Sequence, residues 1–304
     1  MASPVRVTFL GTAGSWPTKE RSASAIALDL ERELVLLDCG EGTQRQFFQS
    51  PASFMRVRRV FLTHFHGDHF LGLPGLIQSM SLNHRAEPLD IYGPPDAKEM
   101  VARALSMGYF TLRFPIEVHA LNPGESVELP GYTVKTAHAE HPVPTLAYRI
   151  DEAMRRGRFD AERARALGIH GPDFRTLESG EPVRVGQSVV HPTDVMGPPR
   201  PGRSLVYSGD TAPSDDIRRL AHRATVVIHE ATVGQEIEAE ANVWGHSSAR
   251  QAAELARSAE ATALFLTHFS SRYKELSPLE EEARLVFPGS RAARDLLDER
   301  IPLP

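Results

Sequence analysis

With 304 residues, 41% of them apolar, the chain is long enough for one large core or two modest domains. A single cysteine, Cys39, excludes an internal disulfide framework and cysteine-rich zinc sites, and a net charge of −5 argues against binding a polyanion through the whole surface. No apolar run reaches membrane-spanning length, and the start Met-Ala-Ser-Pro-Val lacks a signal peptide's charged beginning and apolar middle, so a soluble, cytoplasmic protein is expected.

Val5, Val7 and Phe9 alternate with polar residues before Gly11-Thr-Ala-Gly14-Ser-Trp-Pro-Thr18, a strand running into a glycine-bearing loop that serves either an anion or a plain turn. Ala25 to Leu30 and Leu34 to Leu37 read as strands around the polar turn Glu31-Arg32-Glu33. The second ends in Asp38-Cys-Gly-Glu-Gly-Thr43, with Cys39 packed near the end of a buried strand, and Gln44 to Gln49 reads as a short helix.

Next comes the stretch around which the chain is organised, Phe61-Leu-Thr-His64-Phe-His66-Gly-Asp68-His69-Phe70. Val57, Val60, Phe61 and Leu62 form a buried strand that delivers three imidazoles and a carboxylate within six residues. That is more coordinating groups than one transition-metal ion needs, so the spacing points to a dinuclear site. A turn eased by Gly67 aims His64 and His66 at one ion and Asp68 and His69 at its neighbour, with zinc favoured and manganese or iron open.

Leu71 to Leu82 has the density of a buried helix opening at a Gly-Leu-Pro-Gly turn. A strand from Leu89 to Tyr92 and a helix from Ala97 to Met107 follow, the latter with Met100, Ala104 and Met107 on one side. Strand and helix alternate through this half, so the class is α/β. Short alternating runs then lead to His138-Ala-Glu-His141-Pro-Val-Pro144.

At about 150–203 the character changes: apolar runs shorten, Gly and Pro recur, and from Arg149 to Arg203 the local charge is +2 against −7 for the rest. This reads as an inserted, partly exposed arm, or as a solvated loop. Strands resume at Ser204 to Tyr207, Thr225 to Ile228 and Ala263 to Thr267, carrying Asp210, His229-Glu230 and His268 at their carboxyl ends, where open α/β sheets present ligand-binding groups. Phe61-Leu-Thr-His64-Phe65 recurs letter for letter as Phe265-Leu-Thr-His268-Phe269, so each half places a strand-end histidine toward one shared cleft. Ser248 and Gln251 form a capping box that opens an alanine-rich helix just after His246.

These residues resemble the metallo-β-lactamase superfamily and, within it, the short-form ribonuclease Z family. The broad signal is His64-x-His66-x-Asp68-His69 with His141, Asp210 and His268 in order. The narrower one is Phe-Leu-Gly-Thr at 9 to 12, Asp38-Cys-Gly-Glu-Gly-Thr-Gln-Arg-Gln46, His229-Glu-Ala-Thr232, Gly245-His-Ser247 and His268-Phe-Ser-Ser-Arg-Tyr273. The resemblance implies a four-layer αβ/βα sandwich with the arm as an exosite, and two zinc ions per subunit, with manganese or iron as alternatives. It implies cleavage of precursor tRNA after the discriminator nucleotide, leaving a tRNA 3′-hydroxyl and a trailer 5′-phosphate, by a homodimer in which one arm clamps tRNA for the partner's site. Neither DNA nor a membrane is an expected partner.

Carried over, His64, His66 and His141 hold the first ion, Asp68, His69 and His268 the second, and Asp210 both, with His138 a rival to His141. Asp68 orients or deprotonates the attacking water. His246 is the candidate acid for the departing 3′-oxygen, and Glu230 its carboxylate partner. Arg272 is either a phosphate clamp or a surface ion-pair residue. His84, His119, His170, His191 and His222 are structural or exposed. The alternative functions are a small-molecule phosphodiesterase or arylsulfatase-like hydrolase on the same fold, and a catalytically silent RNA-binding subunit.

Overall fold

The computed structural model describes residues 5–30 and 33–304, so Glu31 and Arg32 of the expected turn lie outside the described residues, as does the start of the chain. It divides into two compact units, one running to Asp151 and resuming at Arg203, the other Glu152–Gly202.

The larger unit is built on two mixed sheets. The first contains β1 (Val5–Gly11), β2 (Ala25–Leu30), β3 (Glu33–Leu37), β4 (Val57–Phe61), β5 (Leu89–Gly93) and β6 (Ile116–Ala120). Of the remaining strands, β7 (Ser126–Leu129), β8 (Tyr132–His138) and β9 (Leu146–Glu152) precede the short hairpin β10 (Val183–Val185) and β11 (Ser188–Val190) of the smaller unit. Then come β12 (Ser204–Tyr207), β13 (Val226–Glu230), β14 (Leu264–Thr267), β15 (Ser290–Ala292) and β16 (Asp298–Ile301). The strand orders are β16-β1-β2-β3-β4-β5-β6 and β15-β14-β13-β12-β9-β8-β7, each combining parallel and antiparallel neighbours.

The period of two along each strand decides the layering. Val7, Phe9, Ile26, Leu28, Val35, Leu37 and Phe61 turn to one face of the first sheet and meet Tyr148, Tyr207, Ile228 and Phe265 of the second in a single core. Alternate residues Ala27, Leu34, Leu36 and Val60 pack outward under the helix Leu73–Leu82 through Leu73, Leu76, Ile77 and Met80. Val206, Val227, Leu264 and Leu266 likewise pack under the helix Ala249–Ser258, whose Ala249, Ala252, Ala253 and Ala256 are all fully buried. Helix, sheet, sheet and helix form the four layers of an α/β sandwich.

Three local readings change. Glu33 lies inside β3, buried, paired with Arg59 and accepting from the Tyr132 hydroxyl, because a carboxylate with two donors tolerates a strand interior. The helix from Ala97 ends at Leu105, and Met107 is 56% exposed beyond it; the buried face is Ala97, Val101 and Ala104. The Gly-Leu-Pro-Gly segment is the first turn of the helix, with Pro74 where a missing N–H costs nothing. Among the described residues no helix is long and apolar enough to cross a membrane.

The unit Glu152–Gly202 has a small core of its own: Ala164, Ile169, Leu177, Val183, Val190 and Val195, with Phe159 and Phe174 packed against it. The helices Ala161–Ala166 and Asp173–Ser179 and the β10–β11 hairpin supply these residues, while Arg156, Arg158, Arg163, Arg165, Arg175 and Arg184 face solvent.

Candidate active site

Segments that leave the carboxyl ends of strands in both sheets converge at one edge of the larger unit. The backbone ties them: Ala13 bridges Phe269, the Leu146 amide donates to the Thr63 carbonyl at 3.0 Å, and Glu140 bridges Ala212. His64 and His69 come from the segment after β4, His141 from the turn after β8, Asp210 from beyond β12, Glu230 from the end of β13 and His268 from beyond β14. The repeated Phe-Leu-Thr-His thus contributes one histidine from each sheet.

The ligand atoms of three trios lie within 4.8 Å of one another: His64, His66 and His141; His64, His69 and Asp210; Asp68, His69 and His268. Asp210 is central, its carboxylate 3.3 Å from His69 Nε2, 3.2 Å from His268 Nε2 and 3.8 Å from His64 Nε2. His141 Nε2 faces His66 Nδ1 at 3.2 Å. His138 is exposed and points toward Glu140, which leaves His141 in the cluster. Arg272 is exposed, and among the described residues its hydrogen bond is from the backbone N–H to Ser270 Oγ at 3.4 Å. Cys39 is fully buried and its thiol is pushed up to about 12 by burial, so it is no nucleophile.

Hydrogen bonds fix the tautomers. Because a carboxylate only accepts, His69 donates from Nδ1 to Asp38 at 2.7 Å, turning Nε2 inward. Thr63 Oγ1 donates to Asp38 at 2.9 Å and therefore accepts from His64 Nδ1 at 3.0 Å. The second sheet repeats the device. Thr232 Oγ1 donates to Glu230 at 2.6 Å and accepts from His268 Nδ1 at 2.9 Å, while His246 donates directly to Glu230 at 2.9 Å. Gly245 O accepts from His141 Nδ1 at 2.9 Å. Each of His64, His69, His141 and His268 is thus held through Nδ1 and leaves Nε2 for the cluster, the arrangement that metal-ligating imidazoles adopt.

The residues fit divalent cations. His64 Nε2, His69 Nε2 and Asp210 Oδ1 are buried and hydrogen-bond to nothing, an arrangement that a shared cation resolves. Burial opposes charge on His69, yet Asp210 and Asp38 outweigh it and hold its pKa well above the ordinary value. His64 beside it is driven well below, by burial first and the His69 charge second. Desolvation works against the charge on Asp68, but the hydrogen bond from His268 prevails and keeps it ionised, and the Ser15 amide donates to its Oδ2 at 2.7 Å. Asp38 and His268 themselves hold left-handed backbone, φ 56° and 59°, a strain typical of sites that over-determine geometry.

His246 also falls in ligand-compatible trios, with His141 and Asp210 and with Glu230 and His268. Its Nδ1 is engaged by Glu230 and 17% of its side chain is exposed, more than for His64, His69 or His268. Burial lowers its pKa, but Glu230 outweighs burial and raises it to about 9.

Asp38, Thr63, Thr232 and Ser15 hold the cluster side chains in place, a role that the motif reading assigned to none of them. The available signal was local: Asp38 directly follows an apolar strand, and Thr precedes histidine in both Phe-Leu-Thr-His copies. Substituting valine for Thr63 or Thr232 is expected to weaken metal binding about 10- to 100-fold, with serine restoring most of it, as measured by competition with a chelator. Unchanged affinity in both valine variants would rule out the orienting role.

Residues 5–154 match a family described as Anti-Pycsar protein Apyc1, and residues 176–269 one described as Beta-lactamase superfamily domain. Among solved structures, human tRNase Z, short form, is 28% identical with a TM-score of 0.72, covering 98% of this chain and 99% of that one. The metallo-beta-lactamase fold protein YhfI from Bacillus subtilis, 20% identical with a TM-score of 0.71 over 98% and 99%, shares the fold. Fold and site together define a metal-using hydrolase of the metallo-β-lactamase superfamily.

Ribonuclease Z of Methanothermobacter thermautotrophicus is 49% identical over 96% of this chain and 95% of its own length, and that of Myxococcus xanthus 42% over 94% of each. The chain belongs to the ribonuclease Z family.

Proposed function

We propose that this chain is a zinc-dependent endoribonuclease that removes the 3′ trailer from precursor tRNA, cutting after the discriminator nucleotide to leave a tRNA 3′-hydroxyl and a trailer 5′-phosphate. Full-length similarity to ribonuclease Z enzymes supports the substrate. The observation that carries the chemistry is the buried Glu230 carboxylate 2.9 Å from His246 beside the ligand cluster.

In this reading His64, His66 and His141 would hold one ion and Asp68, His69 and His268 a second, with Asp210 available to either. Two such ions lower the pKa of a water and neutralise charge on the attacked phosphate. Asp68, held by the Ser15 amide, would orient the attacking water or accept its proton. His246 gives its Nε2 proton to the departing 3′-oxygen, a poor leaving group unless protonated, while Glu230 stabilises the imidazolium. The exposed arginines of Glu152–Gly202 make that unit an exosite for the tRNA body, and the enzyme works as a cytoplasmic homodimer.

Cleavage of a precursor tRNA with end-group mapping tests this directly. A cut after the discriminator, abolished by chelator and restored by zinc, is the expected result. Deleting the arm is expected to raise KM for the precursor at least tenfold while bis-p-nitrophenyl phosphate hydrolysis persists. An intact precursor alongside hydrolysis of that small diester would instead assign a small-substrate phosphodiesterase.

A further inference from the structure

The chain has two tryptophans, and both are exposed, Trp16 61% and Trp244 55%, each one residue along the chain from a backbone group that contacts the cluster. An indole is a large apolar face, and leaving it in water forgoes substantial burial. Neither ring has an aromatic neighbour, nor its Nε1 a hydrogen-bond acceptor, among the described residues. Their backbones are nonetheless pinned, Trp16 N to Gly14 O at 2.9 Å and Trp244 N to Ala241 O at 3.0 Å.

Each is one residue from an atom that fixes a ligand. Ser15 donates to Asp68, and Gly14 packs so closely that an added Cβ would fall 2.8 Å from the His268 ring. On the other side, Gly245 accepts from His141, and an added Cβ there would fall 2.7 Å from His141 Nδ1, with Gly245 itself at φ 78°. So Trp16 flanks the Asp68–His268 half of the cluster and Trp244 the His141 half, two residues before His246.

We infer that the two indoles are stacking platforms for the bases on either side of the scissile phosphodiester, Trp244 taking the discriminator base and Trp16 the first trailer base. The inference rests on the ribonuclease reading. A phosphate drawn to the cluster carries one nucleoside through its 3′-oxygen and another through its 5′-oxygen. His246 serves the 3′-oxygen, so the base on that side belongs to Trp244, which leaves the trailer base to Trp16. Rigid exposed aromatics accept any base face, which suits a substrate whose flanking bases vary.

A substrate–enzyme double-mutant cycle tests it. Precursor tRNAs carrying an abasic discriminator or an abasic first trailer nucleotide are cleaved by the wild-type enzyme, Trp16→Ala, Trp244→Ala and the matching phenylalanine variants, with circular dichroism and metal content checked throughout. Each alanine variant is expected to lose about tenfold or more in kcat/KM on the intact substrate. Phenylalanine should recover most of it, and the matching abasic substrate should show no further loss with its own variant. Additive losses, a crossed pairing or unchanged rates would overturn the inference. Failure of the wild-type enzyme to cut the intact precursor would remove the ribonuclease reading and this inference with it.

Discussion

His246→Ala is expected to slow cleavage of precursor tRNA by about 10²- to 10⁴-fold and to slow bis-p-nitrophenyl phosphate far less. The difference lies in the leaving group: a ribose 3′-oxygen departs badly as an alkoxide, whereas nitrophenolate departs unprotonated. Glu230→Gln keeps the hydrogen-bond geometry but removes the charge that raises His246 to about 9. The acid form of His246 is present below its pKa and lost as pH rises through it, so without Glu230 the alkaline limb of kcat moves to lower pH. Bound cations nearby push the same pKa down, which makes the carboxylate more necessary. Equal losses on both substrates, with an unmoved alkaline limb in the glutamine variant, would exclude His246 as the acid.

Asp210→Ala is expected to abolish cleavage, a fall of roughly three orders of magnitude or more, because it removes the charge that His64, His69 and His268 face and would let the cations leave. Its carboxylate is buried among His64, His69 and His268 with one oxygen unpartnered, so no neighbour can replace it. The fold should persist, since Asp210 lies beyond the end of β12 and outside the apolar clusters. Single-turnover cleavage with metal analysis after dialysis is the measurement. Full metal content and a rate within tenfold of wild type would show that Asp210 does not join the two halves of the site.

The α/β class and the convergence of strand ends were legible because apolar runs stop at ionisable residues in both halves of the chain. His64, His69, Asp210 and His268 needed no tertiary information beyond that. The orienting shell did need it. Tyr207 donates to Asp38 across 169 positions, and in sequence it is simply a strand aromatic. Glu33 lay hidden because its partners Arg59 and Tyr132 belong to other strands. The arm's core escaped notice because Ala164, Ile169, Leu177 and Val183 are too widely spaced to form a run, and only the hairpin and helices gather them. Trp16 and Trp244 carry no local signal of their neighbours, since what gives them meaning is the packing of Gly14 and Gly245 against ligand histidines.

The two carboxylate relays are alike except at one point. Asp38 holds His69 directly and His64 through Thr63; Glu230 holds His246 directly and His268 through Thr232. His69 is sealed from solvent, while His246 keeps 17% of its side chain exposed. In the proposed mechanism the same linkage would therefore fix a ligand in one half and a proton donor in the other. An RNA strand entering such a frame meets unlike ends, and only one 5′-to-3′ direction sets its 3′-oxygen beside His246. On that proposal strand polarity, and with it which fragment leaves with the hydroxyl, would follow from how deeply two similarly held imidazoles are buried.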